Sequence, residues 1–586
     1  MKIFKKLYHL LSTQERKKAG LLLIMIIIMS LLDMLGVASI LPFMTVLANP
    51  GLIETNIILN IMFKISSEFG VETNQEFLFT LGILVFILLI VSLAFKALTS
   101  YAQNLFVSMR EHSIGKRLVE GYLHQPYSWF LNHHSADLGK TILSEVAQVV
   151  GNGLYPVIDI ISKSIITIAI MTLLFFIDPK LTLVVCLSFG STYLLTFYIV
   201  QKLLKQIGKD RLNNNQLRFL AVSEAFGATK EVKAGGLEEV FIKKFSDSTQ
   251  IYARTNVLSQ AIAFLPRYIF EAVAFGGILL ILLYTKAQTG DFINSLPIIS
   301  LYAFAGYRLM PAFQQIYSAL TQLAFVSPSI DKLNNDLKEL KVHEKNQDQV
   351  AITFNKAIKL NKIYYNYPNT SRISLNNVKL TIPARSTVGI IGQTGCGKTT
   401  MVDIILGLLE PMKGTLEVDE KIITRKNVRS WQRSIGYVPQ SIFLSDDTVA
   451  ANIAFGVDTK NIDLEAVKKA SKIANLHEFV KDELPKKYQT KIGENGVRLS
   501  GGQRQRIGVA RALYHNPKVL IFDEATSALD SQTEKLIMGA INNLKGDITI
   551  ILIAHRLDSL KNCDNIYLLD KGELKGQRSF EDLAKN

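Results

Sequence analysis

Long apolar runs separated by polar connectors fill the first 325 residues, and from 351 onward short apolar runs alternate with helical periodicity. Runs that reach the roughly 20 residues needed to cross a hydrocarbon core predict six spans, at 19–48, 77–100, 154–177, 181–204, 257–285 and 292–325. The connectors 101–153 and 205–256 keep helical patterning with few breakers, so spans two to six are expected to continue as helices past the bilayer. PYSWFLNHHSADLG at 126–139 interrupts the first connector with Pro126 and Gly139, and a short transverse helix there would suit docking on a soluble domain. IILNIMFKISSEF at 57–69 fits a short amphipathic helix on the outer surface or a partly buried loop helix equally well. The polar stretch 326–350 is expected to be a linker between a transmembrane domain, 1–325, and a soluble domain, 351–586. In the soluble domain, β-rich runs such as STVGII and KVLIFD between helical patterns predict an α/β fold with a largely parallel sheet.

Composition agrees with this division. At 586 residues, 48% hydrophobic and a mean hydropathy of +0.22, the chain is too apolar for an ordinary soluble enzyme. Cys186, Cys396 and Cys563 are widely separated and odd in number, which suggests neither a disulfide framework nor a zinc site. A net charge of +15 is read as the Lys and Arg excess of cytoplasmic membrane loops rather than as a nucleic-acid footprint. MKIFKKLYHLLSTQERKKAG leads into an apolar run too long for a signal-peptide core, so it is expected to be a retained first span. The 49–76 loop carries Glu54, Glu68, Glu72 and Glu76 against Lys64 alone. The positive-inside rule then puts both termini in the cytoplasm.

Chemistry appears first in STVGIIGQTGCGKTT at 386–400, a strand, a glycine loop and a helix start. It matches G-x-x-x-x-G-K-[ST] through Gly392, Gly397, Lys398 and Thr399. Glycines let backbone N–H groups converge on phosphate oxygens, the helix N-terminus adds positive potential, Lys398 neutralises charge and the Thr399 hydroxyl suits Mg²⁺. KVLIFDE at 518–524 is an apolar strand ending in two carboxylates. Asp523 suits the Mg²⁺ shell and Glu524 a base that polarises the attacking water. Between them LSGGQ opens an arginine-rich helix, a second helix N-terminus able to hold an anion. Since one chain already carries a phosphate loop, Ser500, Gly501, Gly502 and Gln503 are expected to complete the nucleotide site of another copy.

Taken together these motifs resemble those of ATP-binding cassette (ABC) exporter half-transporters along the whole chain. The resemblance implies a six-span all-α transmembrane domain fused to an α/β P-loop domain, with ATP and Mg²⁺ as cofactors. It implies that Gln393, Thr394, Gly395, Cys396 and Thr400 line the ATP site beside the motif residues, and that Tyr367 of YNYPN stacks on adenine. By the same resemblance Gln440 of YVPQ links Mg²⁺ and water to the membrane domain, Asp530 of SALD lies in the inter-subunit loop, and His555 of IAHR is the γ-phosphate switch. Cys396 and Thr399 stand where the family commonly has serines. Thr399 keeps the hydroxyl, and a thiol at Cys396 implies sensitivity to thiol reagents. With Glu524 and LSGGQ both present, two identical chains would make two complete sites, so a homodimer is the expected assembly. ATP would close the soluble domains and turn the membrane cavity outward, and hydrolysis would reset it.

The spans themselves carry charge. Arg267 and Glu271 in AIAFLPRYIFEAVAF, Lys96 in VSLAFKALTS and Arg308 in FAGYRLMP interrupt apolar runs. An i,i+4 pair such as Arg267 and Glu271 can neutralise itself against other helices. Counted from the outer span ends, however, the three cations fall roughly 25 to 30 Å inward, near the inner edge of the hydrocarbon. There they would snorkel cheaply or ring a polyanionic headgroup. Asp33 in SLLDMLG lies deeper, roughly 22 Å from Lys18, with no partner evident from the sequence. SLLDMLGVASILPFM, LPRYIFEAVAF and YRLMPAFQQI resemble bacterial flippases of lipid-linked oligosaccharides, the PglK type. This implies a bacterial inner-membrane flippase serving protein glycosylation, which moves a polyprenyl-diphosphate-linked glycan with Lys96, Arg267 and Arg308 attracting the pyrophosphate. Lys96 stands where that type has arginine, and so loses bidentate geometry. Exporters of lipid A, drugs or peptides share the nucleotide half, although a peptide exporter often carries a leading protease domain, and none is expected before the first span.

Overall fold

The computed structural model describes residues 2–268, 271–272, 275–276, 279, 292–340, 352–368, 370, 372–493, 496–525, 531–542, 544, 546–554 and 557–581. Two compact units divide the chain, Met1–Gln125 with Leu131–Val342 and Pro126–Phe130 with His343–Asn586. The short helix Tyr127–Phe130, at the interruption expected near Pro126, thus groups with the second unit.

The first unit is helical. Helices Thr13–Ala38 and Ile40–Ala48 cover the first predicted span. They break at Ser39, where Pro42 has no N–H to return to the Ala38 carbonyl. Asn74–Leu123 runs 50 residues, about 75 Å at 1.5 Å per residue, and Pro179–Gly227 and Phe292–Glu339 are of similar length. These three helices, at spans two, four and six, are longer than a hydrocarbon core of about 30 Å requires. By length and composition, three helices among the described residues can cross a membrane: Thr13–Ala48, Asn74–Leu123 and Ser135–Ile177. Ile57–Ser67 is helical, capped by the Asn56 side chain, with Leu59 buried and Ile57, Ile58, Ile61 and Ile65 exposed. Residues 326–339, expected to begin a linker, instead continue the last long helix. Val326, Ile330 and Leu333 are buried there, an i, i+4, i+7 stripe that the intervening polar residues conceal in sequence.

Long helices approach closely where small residues permit. At Gly208 a Cβ would collide with the Phe325 carbonyl, so glycine lets Pro179–Gly227 lie against Phe292–Glu339. Three residues on, Arg211, itself fully buried, donates to Glu145 at 2.5 Å and to Ser329 at 2.7 Å, and Asn215 donates to Glu145 at 2.7 Å. Glu145 closes one of two π-helical turns, Thr141–Glu145 and Val150–Leu154.

In the second unit, a sheet of order β10-β9-β3-β8-β7-β6 is built from β3 (Thr387–Ile391), β6 (Ile435–Val438), β7 (Val519–Asp523), β8 (Thr549–Ile553), β9 (Asn565–Asp570) and β10 (Glu573–Arg578). All its pairings are parallel except that of edge strand β10. The central strands are apolar throughout because both faces are covered: β7 and β8 are buried at every position. A second, antiparallel sheet of order β2-β1-β4-β5, from β1 (Ala357–Asn366), β2 (Ile373–Pro383), β4 (Lys413–Val418) and β5 (Lys421–Ile422), adds to the expected architecture.

Candidate functional site

The phosphate loop leaves the carboxyl end of central strand β3 and enters the helix Lys398–Ile405. Gly392, Gly395 and Gly397 have φ of +159°, +79° and +109°. At Gly397 a Cβ would lie 2.6 Å from the Ser374 carbonyl, and at Gly392 it would strike the Leu569 carbonyl. Gly392 and Gly397 therefore demand glycine for space, and Gly395 and Gly397 for backbone conformation. The Lys398 ammonium donates to the Gly392 and Gln393 carbonyls at 2.8 and 3.3 Å. Gln393, Thr394, Gly395 and Thr399 are exposed, whereas Cys396 is 5% exposed and packs into the apolar core. Tyr367 bonds through its hydroxyl to Thr400 at 3.1 Å and meets Tyr365 edge-on.

At the end of β7, Asp523 is buried and Glu524 has φ +52°, a left-handed conformation unusual outside glycine and typical of strained functional positions. Gln440 Nε2 donates to Glu524 Oε2 at 2.8 Å, and the Tyr437 hydroxyl donates to Asp523 Oδ2 at 3.3 Å. Burial raises the Asp523 pKa; the Tyr437 bond and Lys398 lower it and Glu524 raises it, and the net direction is up. Asp403, also buried, is pushed up to about 6 by burial and by Asp523 beside it. Among the described residues no group of three His, Cys, Asp or Glu could hold a metal ion. Asp523, the exposed Thr399 hydroxyl and Gln440 are the residues that would hold Mg²⁺, which takes few protein oxygens and fills its shell with phosphates and water. Bound there, Mg²⁺ neutralises charge on the terminal phosphates.

LSGGQ caps the helix Gly501–Leu513 with a capping box: Ser500 Oγ accepts from the Gln503 N–H at 3.2 Å while Gln503 Oε1 accepts from the Ser500 N–H at 2.8 Å. The Gly501 and Gly502 N–H groups are left at the helix start, where an anion can bind.

In the membrane unit, Asp33 is 1% exposed. Its Oδ1 accepts from Ser92 at 2.8 Å and lies 3.4 Å from Arg308, while Oδ2 lies 3.7 Å from Lys96. The partner missing from the sequence reading is thus two of the three expected substrate cations. Lys163 lies within electrostatic reach of Lys96, Asp159 and Asp33. Arg267 pairs with Glu271 at 2.8 Å on its own helix and is half-exposed.

Residues 19–307 match the ABC transporter transmembrane region family and 375–527 the ABC transporter family. The chain is 32% identical over 447 residues to ABC transporter B family member 29, chloroplastic, of Arabidopsis thaliana, covering 75% of this chain and 69% of that protein. The chain belongs to the ABC exporters, as a half-transporter. It is also 29% identical to an ATP-dependent lipid A-core flippase of Cupriavidus metallidurans, over 80% of this chain and 78% of that one. A solved structure of a bacterial Atm1-family ABC exporter with ATP bound shares the fold, with TM-score 0.78 at 21% identity, covering 97% and 96% of the two chains. The exporter hydrolyses ATP coupled to transport.

Within this half-transporter Gln440 meets Glu524, and Asp523 lies within the electrostatic reach of Lys398 on the phosphate loop. His555 and Asp530 lie outside the described residues. Sequence reasoning missed Arg372, which donates to the Gly395 carbonyl at 2.9 Å, Asp403, Tyr437 and Lys163. Of these only Asp403 carries a local signal, a carboxylate one turn beyond Thr399 on the phosphate-loop helix.

Proposed function

We propose that this exporter works as a homodimer in a bacterial inner membrane, both termini cytoplasmic, and uses Mg²⁺ and ATP to flip a polyprenyl-diphosphate-linked oligosaccharide from the inner to the outer leaflet. The supporting observation is the convergence of Lys96 and Arg308 from separate helices on one buried carboxylate, Asp33. Two cations against one carboxylate leave positive charge at a depth where a lipid headgroup would enter, and intramembrane charge of this kind marks substrate paths more often than packing. A diphosphate would replace Asp33 as the counter-ion of Arg308 and Lys96, with Arg267 at the cytoplasmic approach. Transmembrane helices 1–325, the region 326–350 and a nucleotide-binding domain 351–586 are the parts through which hydrolysis at Glu524 would drive this exchange. A lipid A type cargo is the second reading, favoured by the similarity to the lipid A-core flippase of Cupriavidus; its phosphates present the same chemistry.

The test is ATP-dependent flipping in proteoliposomes holding either a polyprenyl-diphosphate oligosaccharide or lipid A. Wild type is compared with Lys96→Ala, Arg267→Ala, Arg308→Ala and Glu524→Gln. The expected result is flipping of the diphosphate lipid by wild type, its loss in Arg308→Ala with ATP hydrolysis retained, and loss of both in Glu524→Gln. Healthy hydrolysis without flipping of that lipid, or flipping indifferent to Arg308 and Lys96, would overturn the reading.

A further inference from the structure

Strands β6 and β7 run parallel with Tyr437 beside Ile521 and Val438 beside Phe522. Side chains alternate along a strand, so Tyr437, Ile521 and Asp523 project from one face of the sheet. A tyrosine is long enough to reach two residues along its neighbour, and the Tyr437 hydroxyl does so, donating to Asp523 Oδ2. Three residues on, where the chain leaves β6, Gln440 donates to Glu524 Oε2. One strand end thus supplies a donor to each of two adjacent carboxylates. Tyr437 is half-buried and packs against the apolar core, and Gln440 is exposed.

Asp523 needs such a donor. It is 6% exposed, Glu524 follows it and Asp403, 8% exposed, faces it. The nearby cation, Lys398, spends its hydrogen bonds on the loop carbonyls. Among the described residues Tyr437 is the side chain that hydrogen-bonds the Asp523 carboxylate. By taking Oδ2 it restrains the rotation of the carboxylate, and Oδ1 would be the oxygen open to a cation.

We propose that Tyr437 is a positioning residue for Mg²⁺, holding the Asp523 carboxylate in the orientation that receives the cation with ATP, as Gln440 holds Glu524. Supporting partners of metal-ligating carboxylates act in this way, setting ligand orientation without touching the metal. The inference is independent of the cargo, because it concerns the hydrolytic site alone.

Tyr437→Phe keeps the ring and deletes the hydroxyl. The full-length purified exporter is to be compared with this variant by titrating Mn²⁺ in the presence of a non-hydrolysable ATP analogue, read by electron paramagnetic resonance. Binding of the same analogue in EDTA and the Mg²⁺ concentration for half-maximal hydrolysis are measured alongside, and a thermal melt of each protein checks the fold. The expected result is Mn²⁺ affinity weakened about three- to tenfold, the scale of one lost hydrogen bond. The half-maximal Mg²⁺ should rise in step while metal-free nucleotide affinity stays unchanged. Wild-type Mn²⁺ affinity in Tyr437→Phe, or an equal fall of nucleotide affinity in EDTA, would overturn it. Should Tyr437→Phe melt early, the titration is repeated well below both melting temperatures, where an unweakened Mn²⁺ affinity overturns the proposal.

Discussion

At the level of single residues, side chains in this exporter work either with chain neighbours or with partners that packing brings to them. Gly392, Gly397, Lys398 and Thr399 announce themselves because a phosphate loop is one contiguous turn. Tyr437 and Asp523 are far apart in sequence and meet only through sheet register, and Asp33 finds Lys96 and Arg308 only when helices pack. Asp419 is a further case. With Glu420 it forms the two-residue turn between β4 and β5, both at positive φ, +47° and +68°, the I′ geometry of tight hairpins. Its carboxylate accepts the backbone N–H groups of Asn355, Lys356 and Ala357 at 2.6, 2.7 and 3.0 Å. Partial burial works to raise its pKa, but the three bonds together pull it below the ordinary value. A lowered carboxylate stabilises the fold above the unfolded pKa of 3.8 and loses that contribution as pH falls through the folded value. Asn tolerates positive φ, so Asp419→Asn removes the charge with little backbone strain. It is expected to cost about 1–3 kcal/mol at neutral pH, read as a lower melting temperature at pH 7.5, and the gap to wild type should close below pH 4. A gap that persists in acid would assign the effect to the turn and not to the charge.

Elements follow the same division. Period and length give the long helices directly, and apolar runs flanked by motif residues give the parallel strands. The antiparallel sheet β2-β1-β4-β5 escaped because its strands alternate buried and exposed positions over irregular registers, a weaker pattern than an uninterrupted apolar strand. The continuation of Phe292–Glu339 through 326–339 escaped because its apolar stripe is narrow. Packing of these helices yields a prediction at Arg211 and Glu145, both essentially inaccessible. Removing one partner strands a buried charge, so Glu145→Ala should destabilise by about 3–5 kcal/mol, whereas replacing Arg211 and Glu145 together by Met and Leu should recover much of that loss. Thermal unfolding of the two variants in one detergent measures both. A double replacement as damaging as the single would mean that the hydrogen bonds from Asn215 to Glu145 and from Arg211 to Ser329, rather than charge pairing, hold this contact.

At the scale of the whole molecule, the question is whether LSGGQ serves its own phosphate loop or another copy's. The two motifs sit on separate helices, Lys398–Ile405 and Gly501–Leu513, each presenting free N–H groups at its start. In a symmetric dimer with sites shared between chains, each site combines the loop of one chain with the LSGGQ of the other. Lys398→Ala disables every loop in its homodimer, and Gly502→Asp, which sets a carboxylate where phosphate would bind, disables every LSGGQ in its own. Each homodimer should therefore be inactive. Coexpression changes the count, because a mixed dimer pairs the intact loop of the Gly502→Asp chain with the intact LSGGQ of the Lys398→Ala chain. One of its two sites is whole. With random mixing and independent sites, ATP hydrolysis should return to roughly a quarter of the wild-type rate, and tandem purification on two tags should enrich it. If sites lay within single chains, neither variant would contribute a working site to the other, and the mixed population would stay as silent as its parents.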